Sequence, residues 1–190
     1  MSALWRDGVA IVALGYLIIS HQAKEWRLGP ASALGIAIHI VILTTLPDFS
    51  RPPNVRVPFW SLGVGDAYCL TALVSYMELG RNISIIPSLK NIVSGGLYRL
   101  VRHPIYSSLI HMSLYTAIIW PNPVNLLRAL GMFIGAALRV GDEEAVLSRD
   151  PAYAEYRRNI TVRFFHPALS LPLVAVFLHK MMASWALNRI

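Results

Sequence analysis

The sequence predicts an all-α integral membrane protein of about five transmembrane helices with a polar site on one membrane face. Three observations predict it. The chain has 190 residues, 55% of them hydrophobic and only 14% charged, where soluble domains run near 25% charged; its mean hydropathy is +0.52. The charges gather in short stretches between long apolar runs. Two dense polar clusters, Gly95 to Tyr106 and Asp142 to Pro167, flank Tyr106 to Leu138, whose single charged residue is Arg128. A membrane hairpin over that apolar stretch brings both clusters to the same face.

The elements follow in order. Gly8 to Ser20 is apolar but short, and reaches membrane length only by including Leu4 and Trp5 or by continuing toward Trp26. The start of the chain lacks a basic n-region and a cleavage site, so this run reads as a retained helix. Gly29 to Leu46 is cleaner, with His39 its only ionisable group. Pro47 ends it, and Ser50-Arg51-Pro52-Pro53-Asn54 reads as a loop. Phe59 to Leu79 is a third span and contains Asp66. Tyr106 to Trp120 and Val124 to Leu138 form the hairpin, turned by Pro121-Asn122-Pro123, since proline is costly inside a helix. Ala168 to Leu187 is apolar but broken by Pro172, His179 and Lys180. That tail is expected to lie along the interface as a C-terminal helix. By length the chain is one domain, 1–190: N-terminal helices over 1–79, a motif-bearing part over 80–167 and the tail over 168–190.

The net charge of +7 raises nucleic acid as a partner, but basic residues spread through loops fit anchoring beside anionic lipid better. Arg81, Lys90, Arg99 and Arg102 lie in one loop, and Arg139, Arg149, Arg157, Arg158 and Arg163 in the other. They outweigh Arg51 and Arg56, so both polar clusters are expected on the cytoplasmic side, with the N-terminus outside. The lone Cys69 excludes an internal disulfide, and no CxxC or Cys/His array points to a metal.

No Ser/His/Asp order or HExxH is present. Gly63-Val64-Gly65 stands in an apolar run, and Gly131 to Gly135 is a GxxxG. Both read as close helix packing, and Gly131/Gly135 doubles as a candidate homodimer contact. His39, His111 and His179 have apolar surroundings and are expected to make interhelical hydrogen bonds. His103 stands among arginines and tyrosines, followed by a proline. Asp66 is the least explained residue; the topology sets it on the exterior half, away from the polar clusters, with His39 as one conceivable donor to it.

Glu78-Leu79-Gly80-Arg81-Asn82-Ile83-Ser84, followed by Ser94-Gly95-Gly96-Leu97-Tyr98-Arg99-Leu100-Val101-Arg102-His103-Pro104-Ile105-Tyr106, resembles the isoprenylcysteine carboxyl methyltransferase family and the related phospholipid methyltransferases. So do Glu143-Glu144 with Leu147, the pair Tyr153 and Tyr156, and Val162-Arg163 with Pro167. The resemblance covers roughly 79–167, with the motifs in order. It implies a multi-pass membrane enzyme using S-adenosylmethionine. The implied cofactor-binding residues are Tyr98, His103, Pro104, Tyr106, Glu143 and Glu144; the implied catalytic residues are Arg102, Arg163 and Glu144.

The residue chemistry is compatible with that implication. Glu143 or Glu144 suits the cofactor's ammonium or ribose hydroxyls. Helical neighbours point about 100° apart, so one of the two is expected to face the cofactor and the other to pair with Arg139 or Arg102. A solvated helix extension is the bland alternative for both. Tyr98 and Tyr106 offer aromatic faces to adenine or the sulfonium, and the backbone around His103-Pro104 offers polar contacts to the adenine edge. Arg102 or Arg163 suits an acceptor carboxylate; a phenol, amine or thiol acceptor would call on His103 or a glutamate as base. The expected acceptor is lipophilic, enters sideways from membrane lipid and is methylated on oxygen.

The chain departs from the family where Ser107-Ser108 follow Tyr106 and where Val162 precedes Arg163, so the prenylated cysteine of the family's name is not a deduction about this chain. Two other classes compete: an NADPH-dependent membrane reductase of the sterol reductase type, which shares a histidine-proline-x-tyrosine element, and a non-enzymatic scaffold or small transporter.

Overall fold

The structure, a computed structural model, describes residues 20–45, 47–49 and 57–187, together with Gly15 and Ile18. The first expected span and the Arg51/Arg56 loop lie outside the described residues. The fold is mostly helical. Among the described residues lie six α-helices, α1 (Pro30–Thr44), α2 (Phe59–Leu79), α3 (Pro104–Ile119), α4 (Pro123–Leu147), α5 (Pro151–Asn159) and α6 (Pro167–Leu187), and a small antiparallel ribbon of β1 (Glu25–Trp26) and β2 (Ser88–Leu89). Of these, α4 and α6 are long and apolar enough to cross a membrane.

Proline sets most helix starts. Pro30, Pro104, Pro123 and Pro151 open α1, α3, α4 and α5, where the missing N–H belongs to a group that has no intrahelical partner anyway. Asn122 caps α4 by accepting from Asn125 N at 2.9 Å, and Asp150 caps α5 by accepting from Ala152 N at 2.9 Å.

The hairpin of α3 and α4 forms as expected, and α3 is its buried centre. Small residues set the spacing. Helix α1 runs antiparallel to α4, so close that a Cβ on Gly35 would stand 2.7 Å from the Gly135 carbonyl and one on Gly135 would stand 2.9 Å from His39. Helix α2 lies antiparallel to α3, where a Cβ on Gly65 would stand 2.6 Å from Tyr115. Gly63 faces open space instead. The Gly131/Gly135 face, expected as a homodimer contact, is therefore covered by α1 of the same chain.

The apolar tail expected as a C-terminal helix forms one over Pro167–Leu187. Helix α6 runs lengthwise beside α3 and in the same direction. His111 Nε2 meets Ser170 Oγ at 2.9 Å near its start, and Tyr68 donates to the Leu169 carbonyl at 2.8 Å. Near its end, Lys180 Nζ donates to the carbonyls of Ile118 and Ile119, the latter at 2.9 Å. Those carbonyls close the last turn of α3, where helical partners run out, so the lysine that interrupted the apolar run works as a cap. Pro172 is accommodated inside the helix.

The chain ends up with two poles. At one, Asp48 and the α3–α4 turn are tied by Asn122 and Asn125, each donating to the Asp48 carbonyl, at 3.1 and 2.8 Å. At the other, the ribbon, residues 80–103 and residues 139–166 gather. Asp142 stands there against the start of α1, accepting from Gly29 N at 3.1 Å and pairing with Arg27 at 3.4 Å, as a carboxylate at a helix N-terminus does. Asp66 sits in the half of α2 toward the opposite pole.

Candidate active site

One glycine shapes the first polar cluster. Gly96 has φ +54, and a Cβ there would stand 1.8 Å from Glu78 Oε1. Only glycine allows both. The close approach lets Glu78 Oε2 accept from Leu97 N at 2.9 Å, which anchors the turn Gly96–Arg99 and buries Tyr98. The chain then runs extended past 162–163, with Arg102 N donating to Val162 O at 2.9 Å and His103 N to Arg163 O at 3.2 Å. That backbone pairing, rather than any helix, brings Arg163 beside the first cluster.

Glu144 lies at the junction. Its Oε1 accepts from Arg102 Nε at 2.9 Å and stands 3.2 Å from His103 Nε2, while its Oε2 accepts from Arg163 Nη2 at 2.8 Å. The residue is 4% exposed. Burial by itself would raise its carboxyl pKa, but the His103 hydrogen bond and the charges of His103, Arg102 and Arg163 outweigh it and hold the pKa down to about 2. Arg102 spends a second nitrogen on the carbonyls of Ile160 and Thr161, at 2.9 and 3.1 Å.

Glu143, one residue earlier, points elsewhere. It accepts from Tyr106 Oη at 3.0 Å and lines a cavity of about 320 Å³, within the range of small-molecule sites. The acidic pair is thus split in geometry: Glu143 faces the cavity and Glu144 pairs with Arg102. Tyr98, Arg102, His103 and Tyr106 also line the cavity; Glu144, Pro104 and Arg163 do not. Pro104 is fully buried where α3 begins, and the Arg163 side chain is 51% exposed on the outer side of Glu144. Burial, then the nearby Glu143 charge, push the Tyr98 phenol well above its ordinary pKa. Tyr156 donates to Tyr98 O at 2.7 Å, tying α5 to the cluster.

Three groups outside the expected site residues complete the wall. His39 of α1 lines it; its Nδ1 bonds the Gly35 carbonyl of its own helix at 2.8 Å, so the expected interhelical hydrogen bond is not what it makes. Arg139 stacks over the Tyr106 ring at 5.3 Å and donates to Ile85 O at 2.7 Å. The loop 82–93, with Lys90, closes the remaining side. His39 carried a signal, being the one ionisable residue of its span; the loop carried none.

The buried polar atoms without a hydrogen-bond partner among the described residues are informative. His39 Nε2, Ser88 Oγ, Arg139 Nε and Tyr153 Oη all belong to residues of this wall, and only Ser32 Oγ lies elsewhere. Native interiors leave few such groups, and their concentration around one cavity is what a polar ligand would satisfy. The wall thus offers a ligand one carboxylate, Glu143, the aromatic rings of Tyr98 and Tyr106, and unpartnered polar atoms beside them. No family model and no curated protein sequence matches the chain.

Proposed function

We propose that the chain is a multi-pass membrane methyltransferase that uses S-adenosylmethionine to methylate a lipophilic acceptor, on oxygen, at a site facing the cytoplasm. One observation carries the reading. The two clusters that resemble the methyltransferase family converge on one cavity, and that cavity gathers the unpartnered polar atoms. When bound, S-adenosylmethionine supplies a methyl group on a cationic sulfur for in-line displacement, which depends on positioning rather than on a covalent enzyme intermediate.

The chain's own residues do the rest. Glu143, oriented by the Tyr106 hydroxyl, receives an ammonium or ribose hydroxyls, and Tyr98 offers an aromatic face. Glu144 is a positioning residue: it clamps Arg102, His103 and Arg163 one layer behind the wall. Arg102, which reaches the wall itself, is the arginine placed to touch an acceptor. Helix α1 packs on α4 and α2 on α3, so the cavity lies between the pairs. Ile36, Ile40 and Leu43 of α1 and Leu79 of α2 give that side an apolar lining suited to a hydrocarbon tail arriving from the bilayer.

The membrane setting draws support from the helix faces. Leu34, Leu70, Leu130 and Phe177 are exposed while Ser32, Ser75, Ser107 and His111 are buried, the small-and-polar-inside pattern of helices packed in lipid.

The test is ligand stabilisation followed by transfer. S-adenosylhomocysteine is expected to raise the melting temperature of the detergent-solubilised protein, and label from S-adenosylmethionine is expected in the lipid phase of a lipid extract. Stabilisation by NADPH alone would establish the reductase class instead. Label confined to water-soluble products would reject lateral entry.

A further inference from the structure

The cavity wall holds a buried cation that the proposed methyl transfer leaves without a task. Lys90 is 6% exposed and lines the cavity. Its ammonium has three donors, and among the described residues it makes one hydrogen bond, to Ile83 O at 2.6 Å. No carboxylate there pairs with it. Burial lowers its pKa, and no neighbouring charge offsets the effect. A buried ammonium without an anion is unfavourable unless something compensates it.

A second group points the same way. Ser88, two residues earlier, also lines the cavity, and its buried Oγ has no partner among the described residues. Alternate residues of an extended strand project to the same side. The strand is held from behind, because Lys24 N donates to Leu89 O and Arg27 N to Pro87 O, each at 2.9 Å. Backbone pairing orders the segment that carries both donors, which lowers the ordering cost when they meet an anion.

We infer that Lys90 and Ser88 form a carboxylate-binding subsite on the loop wall of the cavity, separate from Glu143. The inference rests on the cavity being the ligand site of the proposed methyltransferase. It also moves anion recognition away from Arg163, which Glu144 already occupies. The carboxylate has two chemical sources, the amino-acid end of the cofactor and the head of the acceptor. An amino-acid end is a zwitterion, and Glu143 with Lys90 would complement both of its charges.

Two ligand pairs, each differing in one carboxylate, distinguish the sources. Binding of S-adenosylhomocysteine is compared with that of its decarboxylated form, and myristate with myristyl alcohol. The full chain in detergent is measured as wild type, Lys90→Met and Ser88→Ala. The wild type is expected to prefer the carboxylate member of one pair by about tenfold or more. Lys90→Met is expected to lose that preference and Ser88→Ala to weaken it. A role limited to stapling the loop through Ile83 would lower the melting temperature and leave the preference untouched. Preference within the adenosyl pair assigns the subsite to the cofactor, and preference within the lipid pair assigns it to the acceptor head. Should the wild type bind neither adenosyl compound yet show a lipid preference that the variants lose, the methyltransferase reading fails and the subsite stands. Should Lys90→Met not fold, Ser88→Ala decides, because it removes a hydroxyl that bonds nothing among the described residues. A wild type indifferent to the carboxylate in both pairs, or variants as selective as the wild type, overturns the inference.

Discussion

Replacing Glu144 with glutamine tests the junction of the two polar clusters directly. The substitution keeps the side chain's size and removes its charge. Arg102, 7% exposed, then keeps a buried guanidinium facing an amide that is half donor. Losing one partner of a buried ion pair costs about 3–5 kcal/mol. The Arg163 contact adds little, because that side chain is 51% exposed and such pairs contribute about 0–1 kcal/mol. The pKa gives an independent figure. Lowering the Glu144 carboxyl from 4.5 to about 2 corresponds to about 3 kcal/mol at 1.36 kcal/mol per pH unit. For a chain of this size, 1 kcal/mol shifts the melting temperature by about 2–4 °C, so Glu144→Gln is expected to melt roughly 6–20 °C lower at pH 7.

The sign of the pH dependence follows from the same shift. A depressed folded-state pKa stabilises the native form above the unfolded value of 4.5 and loses that contribution as pH falls toward 2. Fluorescence-detected melting of both proteins between pH 7 and pH 3 is the assay. The difference between them should be full near neutrality and shrink below pH 4.5. Equal melting temperatures at pH 7, or a constant gap across the range, would refute the clamp.

Three further outcomes are expected. Gly35→Ala should destabilise by about 1–3 kcal/mol through overpacking, since its Cβ would meet the Gly135 carbonyl at 2.7 Å, whereas Gly63→Ala, with nothing within 4 Å, should be neutral or slightly stabilising; equal melting shifts would contradict the α1–α4 packing. Glu143→Gln should weaken S-adenosylhomocysteine binding by about 1.5–3 kcal/mol, the range for a charge-assisted hydrogen bond, and unchanged affinity in calorimetry would remove Glu143 from the cofactor site. Cysteine labels at the exposed Asn91 and Ser148 should react from the cytoplasmic side and a label at Pro121 from the other, and opposite accessibility of the first two would end the shared-face argument.

Much of the architecture was legible in the chain. Apolar runs bounded by prolines located α1, α2, α3, α4 and α6, because a helix in an apolar setting needs little beyond length, hydropathy and a defined start; the polar α5 (Pro151–Asn159) was not among them. Pro121-Asn122-Pro123 marked the turn between α3 and α4, and the hairpin alone placed Arg102–His103 and Glu143–Glu144 at one end. The helical rotation of 100° per residue was enough to expect the two glutamates to part company.

Which glutamate took which role depended on tertiary contacts. Glu144 meets Arg102 and Arg163 only because 102–103 pairs with 162–163 along the backbone, and a contact between residues sixty apart has no local signature. Lys180 read as an interruption of an apolar tail; the orphan carbonyls of α3 make it a cap that ties α6 alongside α3. Gly63 and Gly65 were equivalent as letters, and only the position of Tyr115 separates the packed glycine from the open one. The cavity was the least visible of all. Composition and periodicity report which faces are apolar, but a cavity is a volume left between elements, and its walls come from α1, α2, α3, α4, α5 and a loop that only the folded chain brings together.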